Sequence, residues 1–349
     1  MSLSFLLRTA GTLALALAAA LLCAWLRTPL PWMIGPLLAT AMASVAGVPT
    51  VSWAPLRNIA QWTIGTALGL YFTPSVTSLV ASIWWAIALG VVWALVVGLA
   101  FGAWLHRVHA PRMPGLSRGT TYFAGAIGGA SEMTLLAERE GARTDLVASS
   151  HSLRILIVAV TVPFAMQYSG LHGLYPAPAL LRVVDPAGLA WLAVFTGLGA
   201  LVIRQLGRAN PWFMGALLVS MGLTIAGKHF SAIPQWMSNG AQLVIGVSLG
   251  VRFSAEFIHT APRWLATVVI GTLGMIVACG AFAWVLSLGT GLHVATLILG
   301  TSPGGIAEMA ITAKVLELGV PVVTAFQVCR LVTVLILVDP VYRYLYRQR

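Results

Sequence analysis

Apolar runs follow one another along this chain with almost no charge inside them. They cover roughly 5–26, 31–47, 56–72, 77–105 and 144–167 in the first half, and 186–206, 211–227, 238–254, 264–287 and 321–340 in the second. Runs of this length suit a bilayer, where every backbone N–H and C=O must find its partner within the protein. The expected fold is therefore an all-α integral membrane protein. Composition agrees, because 8% charged residues is far below the roughly 25% of a soluble domain. The first run follows Arg8 as a secretory signal would, but 186–206 holds the equivalent place in the second half, so it reads as a retained helix.

The net charge of +11 does not point to nucleic acid, because the basic residues are scattered between apolar runs rather than gathered into a stripe. Cys23, Cys279 and Cys329 lie inside apolar runs without metal-type spacing and read as packing residues. The seven histidines are dispersed, apart from His106 and His109 in a basic loop, and form no metal site. No Ser-His-Asp, P-loop or dinucleotide pattern is present, so the expectation is not an enzyme, with no metal and no cofactor.

The two halves repeat each other. Gly128-Gly129-Ala130-Ser131-Glu132-Met133 matches Gly304-Gly305-Ile306-Ala307-Glu308-Met309 at a shift of 176, and the same shift carries Ala137 onto Ala313 and Arg154 onto Arg330. Pro31-Trp32 with Gly35 answers Pro211-Trp212 with Gly215 at 180, while Gln61, Gly65 and Gly69 answer Gln242, Gly246 and Gly250 at 181. Three matches in order at nearly one shift define a duplication. The first repeat is 1–170, a linker covers 171–185, and the second repeat is 186–349. The Pro-Trp pairs suit the first turn of a helix at the headgroup boundary. The glycines four apart are close-packing signals.

Two elements, about 119–139 and 294–316, carry the Gly-Gly pairs near their middles. About ten helical residues reach roughly 15 Å, half the hydrocarbon thickness, so each pair would stop near the midplane if its element turns back. Charge decides between turning back and crossing. With both elements re-entrant and the N-terminus inside, 14 of the 20 Lys and Arg fall at cytoplasmic ends; with both crossing, ten do. The positive-inside rule selects the re-entrant form, which gives each half five crossings and inverts the second relative to the first. The expectation is about ten transmembrane helices plus two re-entrant hairpins.

Of the nine acids, only Glu132 and Glu308 fall deep in a membrane element, where an ionisable group is costly and therefore a functional candidate. Two readings stay open: ion coupling or substrate contact, and simple capping of a half-helix. Broken helices offer N–H groups to anions and carbonyls to cations, so Gly128, Gly129, Gly304 and Gly305 are candidate binding positions. Ser131, Thr301 and Ser302 would add hydroxyls. Arg154 and Arg330 follow on the next helices, with His151 and Gln327 three residues earlier on the same face. Either arginine would bind a substrate carboxylate or neutralise a nearby glutamate. Arg330→Lys is accordingly expected to damage transport more than folding.

The duplicated Pro-Trp-x-x-Gly-x-Leu-Leu and Gly-Gly-x-x-Glu-Met segments resemble the AbrB family of bacterial membrane proteins over nearly the whole chain. That family carries the labels "ammonia monooxygenase" and "regulator", and is distantly similar to cation/proton antiporters and anion transporters built on inverted repeats. The resemblance implies a multi-pass protein of the bacterial inner membrane and a secondary transporter of a small solute, anions included, coupled to H⁺ or Na⁺. Partners are then the solute or ion and the lipid bilayer, without nucleic acid; a homodimer is allowed. A membrane regulator acting indirectly and a membrane monooxygenase are the alternatives.

Overall fold

The computed structural model of the chain describes residues 3–171, 183–207, 210–253 and 261–347. Most of the expected linker, 172–182, lies outside them. The regular elements among the described residues are helical: α1 (Leu3–Trp25), α2 (Pro31–Val45), α3 (Ala54–Gly69), α4 (Pro74–Ser82), α5 (Trp84–His109), α6 (Arg118–Gly125), α7 (Ala130–Arg139) and α8 (Thr144–Tyr168) in the first repeat. The second contributes α9 (Pro186–Gln205), α10 (Pro211–Ile225), α11 (Gln235–Gly250), α12 (Pro262–Thr290), α13 (Val294–Thr301), α14 (Ile306–Val315) and α15 (Val320–Tyr342).

Among the described residues six helices, α1, α5, α8, α9, α12 and α15, are long and apolar enough to cross a membrane. A seventh arises if α3 and α4 count as one span, bent by 87°. Length alone therefore does not reach the expected count of about ten. Helices α2 and α10 are apolar but have 15 residues each, which span only about 22 Å. The run 77–105 is also divided, because α4 ends at Ser82 and α5 begins at Trp84. Neither glycine nor proline stands at that break, so the sequence reads through it.

Two compact units result, and each draws helices from both repeats. One contains Met1–Ala81, Pro163–Ile258 and Ala310–Pro321; the other contains Ser82–Val162, His259–Met309 and Val322–Arg349. In the first unit α3 packs on α10 and α2 on α11. A Cβ on Gly65 would collide with the Phe213 carbonyl, and one on Gly246 would stand 2.5 Å from the Met33 carbonyl. Likewise Gly69 lies against the Leu217 carbonyl and Gly250 against that of Leu37. The glycines four apart thus let backbones touch, and the contacts are reciprocal: each half's third helix nests on the other half's second.

Backbone conformations repeat too. Leu30 and Asn210, before the paired prolines, have φ of 45° and 47°. After α7 and α14, Gly141 has φ 63° and its counterpart Glu317 has φ 53°. A residue with a Cβ costs about 1–2 kcal/mol in this left-handed region. Gly141→Ala should therefore lose about 1 kcal/mol, whereas Glu317→Gly should leave stability level or raise it by up to about 1 kcal/mol. Thermal unfolding in detergent checks the pair, and equal losses would refute the assignment.

In the second unit α5 packs on α6 and α12, and α12 packs on α13. A Cβ on Gly102 would stand 2.8 Å from the Thr121 carbonyl, so α5 and α6 meet backbone to backbone. Phe123, Leu105, Met133 and Trp264 are buried in the adjoining core. The Trp264 indole N–H is satisfied by Ser150 Oγ at 2.8 Å.

Candidate functional site

Ser117 starts the first element by accepting a hydrogen bond from the Thr120 amide at 3.1 Å, an N-cap on α6. The helix stops at Gly125, Ala126 turns to φ −55° and ψ 137°, and the chain re-enters a helix at Ala130 with Gly129 as N-cap. After α7 the chain comes back to where the element began. The Arg143 amide donates to Thr120 Oγ1 at 3.0 Å, and Gly119 lies beside Ala142. In the second element α13 stops the same way, with Ser302 at φ −57° and ψ 143°, and α14 begins at Ile306.

The geometry explains the duplicated motif residue by residue. A Cβ on Gly129 would overlap the Glu132 carboxylate, and one on Gly305 would overlap that of Glu308. Each glutamate folds back over the glycine that caps its own helix, a position only a residue without a side chain leaves open. This is the geometry of an N3 carboxylate answering the helix start. A Cβ on Gly128 would stand 2.8 Å from Met133 Cε, and one on Gly304 would stand 3.0 Å from Met309 Cε. The first glycine of each pair therefore makes room for the methionine, and the second for the acid. Both methionines are fully buried, Glu308 is 7% exposed, and Glu132 is half-buried.

The arginines serve the other side of each break. Arg154 Nη1 donates to the Ala124 and Gly125 carbonyls, each at 3.3 Å, and Nη2 donates to the Ala126 carbonyl at 2.9 Å. Arg330 Nη1 donates to the Ser302 carbonyl at 2.6 Å and Nη2 to that of Gly304 at 2.8 Å. A helix that stops inside a membrane leaves its last carbonyls without partners and presents a partial negative charge, which a guanidinium fork answers twice over. The companions three residues earlier join in. His151 donates from Nε2 to the Phe123 carbonyl at 2.9 Å, which leaves Nδ1 to accept from Arg154 Nη2 at 2.8 Å; the imidazole is neutral in this assignment. Gln327 donates its amide to the Leu299 carbonyl at 2.7 Å, with Gly300 and Ser302 at 3.2 Å.

Among the residues singled out from sequence, the structure thus places Gly128, Gly129 and Glu132 with His151 and Arg154 around one break, and Gly304, Gly305 and Glu308 with Gln327 and Arg330 around the other. The guanidinium ends lie on backbone carbonyls. Thr301 and Ser302 turn their hydroxyls back onto their own helix, to the Leu297 carbonyl at 2.8 Å and that of Ile298 at 2.6 Å. The Ser131 side chain lies outside the described part of the structure. Both arginine Nε atoms and Gln327 Oε1 are buried without a hydrogen-bond partner.

Sequence reasoning missed Met133 and Met309, although the duplicated Met was visible. It also missed a valine one turn beyond each arginine. Val158 Cγ1 would stand 3.0 Å from a Cβ on Gly304, and its counterpart Val334 shares a core with Ile127 beside the first glycine pair. Each following helix thereby packs against the other element's break. Among the described residues no three His, Cys, Asp or Glu side chains converge as a metal would need.

Long apolar helices together with two broken ones define a multi-pass helical membrane protein. The chain belongs to the family described as transition state regulatory protein AbrB, which matches residues 32–346. It is similar to the "Uncharacterized protein YhjN" of Bacillus subtilis (strain 168), 25% identical over 341 residues that cover 90% of this chain and 87% of that protein. It is also similar to the "Putative regulator AbrB" of Escherichia coli (strain K12), 26% identical over 331 residues that cover 91% and 90% of the two chains.

Proposed function

We propose that this chain is a secondary transporter of a small solute, anions included, driven by H⁺ or Na⁺ and built from two inverted halves in a bacterial inner membrane. One observation carries the reading: in both repeats a glutamate lies folded over the first turn of a half-helix that begins at a break, in an otherwise apolar protein. A carboxylate there sets an ionisable group against the backbone of the break. Coupling through Glu132 and Glu308 follows from that placement.

The return of Arg143 to Thr120 supports a re-entrant first hairpin, and the reciprocal glycine contacts of the first unit support two halves related by a two-fold axis. Backbone N–H groups at the breaks then face the solute, with Ser131 nearby, while Arg154, His151, Arg330 and Gln327 hold the carbonyl ends in place. The regulatory word in one relative's name fits an indirect effect of solute movement.

The test begins with a thermal-shift screen of small carboxylates and amines at two pH values, followed by uptake of the stabilising compounds into proteoliposomes under a pH or sodium gradient. Glu308→Gln should lower gradient-driven uptake at least tenfold and leave the protein folded. Binding without uptake in the native protein would favour a membrane sensor instead.

A further inference from the structure

A cavity of about 240 Å³ opens at the end of α5, away from the glycine breaks along the same helices, and is lined by His106, Arg107, Arg118, Thr121 and the rings of Tyr122 and Tyr346. No acid lines it. The nearby Asp339 is engaged by Arg343, with a 2.9 Å ion pair. His106 Nδ1 is buried without a hydrogen-bond partner. Arg118 lies over the Tyr346 ring at 5.5 Å, which leaves the guanidinium edge available for an anion.

Directly against this cavity runs an apolar groove of about 90 Å³ between α5 and α15, walled by Leu95, Gly98, Val334 and Val338. Leu99 and Tyr122 line both spaces. The Tyr122 hydroxyl donates to the Val338 carbonyl at 2.7 Å and so presents little polarity to the groove. A basic chamber beside a narrow apolar slot, with Leu99 and Tyr122 as their shared wall, has the two-part chemistry of one ligand: a negatively charged head on a hydrocarbon chain.

We infer that this composite site binds an anionic phospholipid, with the phosphodiester held by Arg107, Arg118 and His106 and a few methylenes of one acyl chain seated along Leu95 and Val334. A free phosphate would satisfy the chamber alone and gain nothing from the slot. A zwitterionic lipid would fill the slot but bring a quaternary ammonium against two arginines. The basic chamber is lined only by α5, α6 and the turn after α15, whereas the slot also reaches Ala126 and Ile127 at the first break, so the head-group arm of the test is the one that stands apart from the transport reading.

The test is lipid binding to the intact, delipidated protein, followed by native mass spectrometry with phosphatidylglycerol, phosphatidylcholine and glycerol 3-phosphate as separate probes. Phosphatidylglycerol should bind at least tenfold tighter than either of the others. Arg118→Gln should weaken it about fivefold, and Arg107→Gln with Arg118→Gln about 25-fold. Arg112→Gln removes the same charge from the connection between α5 and α6, outside the cavity, and should change binding less than twofold. Leu95→Trp fills the slot without altering charge; it should weaken phosphatidylglycerol and leave glycerol 3-phosphate unchanged. Equal binding of phosphatidylcholine, equal weakening by Arg112→Gln, or indifference to Leu95→Trp would each overturn the assignment.

Discussion

Arg330→Met should lower the stability of the folded protein by about 3 kcal/mol, the largest loss expected of any single substitution at the breaks. Two short bonds from a cation to the Ser302 and Gly304 carbonyls disappear, each worth about 1.5–3 kcal/mol when one partner is charged. Relief from burying the guanidinium offsets part of this. The carbonyls remain, however, in a place where water cannot replace the lost donors. Arg330→Lys should lose about half as much, because an ammonium is a point charge and cannot span two carbonyls with one rigid fork. Thermal unfolding in detergent measures both, and hydrogen exchange across 299–305 localises the damage. The arginine's grip on backbone thus makes folding and transport fall together, where sequence alone put the transport loss first. A loss below about 1 kcal/mol for Arg330→Met would show that the carbonyls find other partners.

Gly129→Ala combined with Gly305→Ala should do the reverse, cutting gradient-driven uptake at least tenfold while changing stability by about 1 kcal/mol. Both positions tolerate an alanine backbone; Gly129, for instance, has φ −67° and ψ 137°. What a methyl group removes is the space that the glutamate carboxylate occupies. The side chain is flexible and swings away at little steric cost, so the fold survives while the acid leaves the helix start. Gly304→Ala is the matching control. Its methyl would meet Met309 and Val158, each at 3.0 Å, so it should disturb packing rather than charge. Native uptake in the double alanine variant would mean that the placement of the carboxylates is irrelevant to function.

The duplication, the breaks and the close-packing glycines were all legible in the sequence, because each leaves a mark at fixed spacing. Gly65 and Gly246 were readable as contact points from spacing alone, though their partners were not. The arginines were not legible in the same way. Spacing puts His151 and Arg154 on one face of α8, but it cannot tell whether a fork on that face points at a solute, an acid or a carbonyl thirty residues upstream. The Gly-Gly pair concealed its logic for a related reason: glycine usually signals unusual torsion, and here the backbone angles at Gly129 are ordinary. The glycine is required by its neighbour three residues on. The boundary between α4 and α5 left no trace, since Ser82, Ile83 and Trp84 contain no helix breaker.

The reciprocal nesting of α3 on α10 and α2 on α11 bears on how the polypeptide is made. While the ribosome is still translating residues before 211, the grooves at Gly65 and Gly69 stand unfilled, because the helix that fills them does not yet exist. Native docking in this region must wait for the C-terminal half. A fragment ending near residue 170 would have one place to find the missing surface, in a second copy of itself, and an ancestral gene of half this length would have met the same requirement by dimerising.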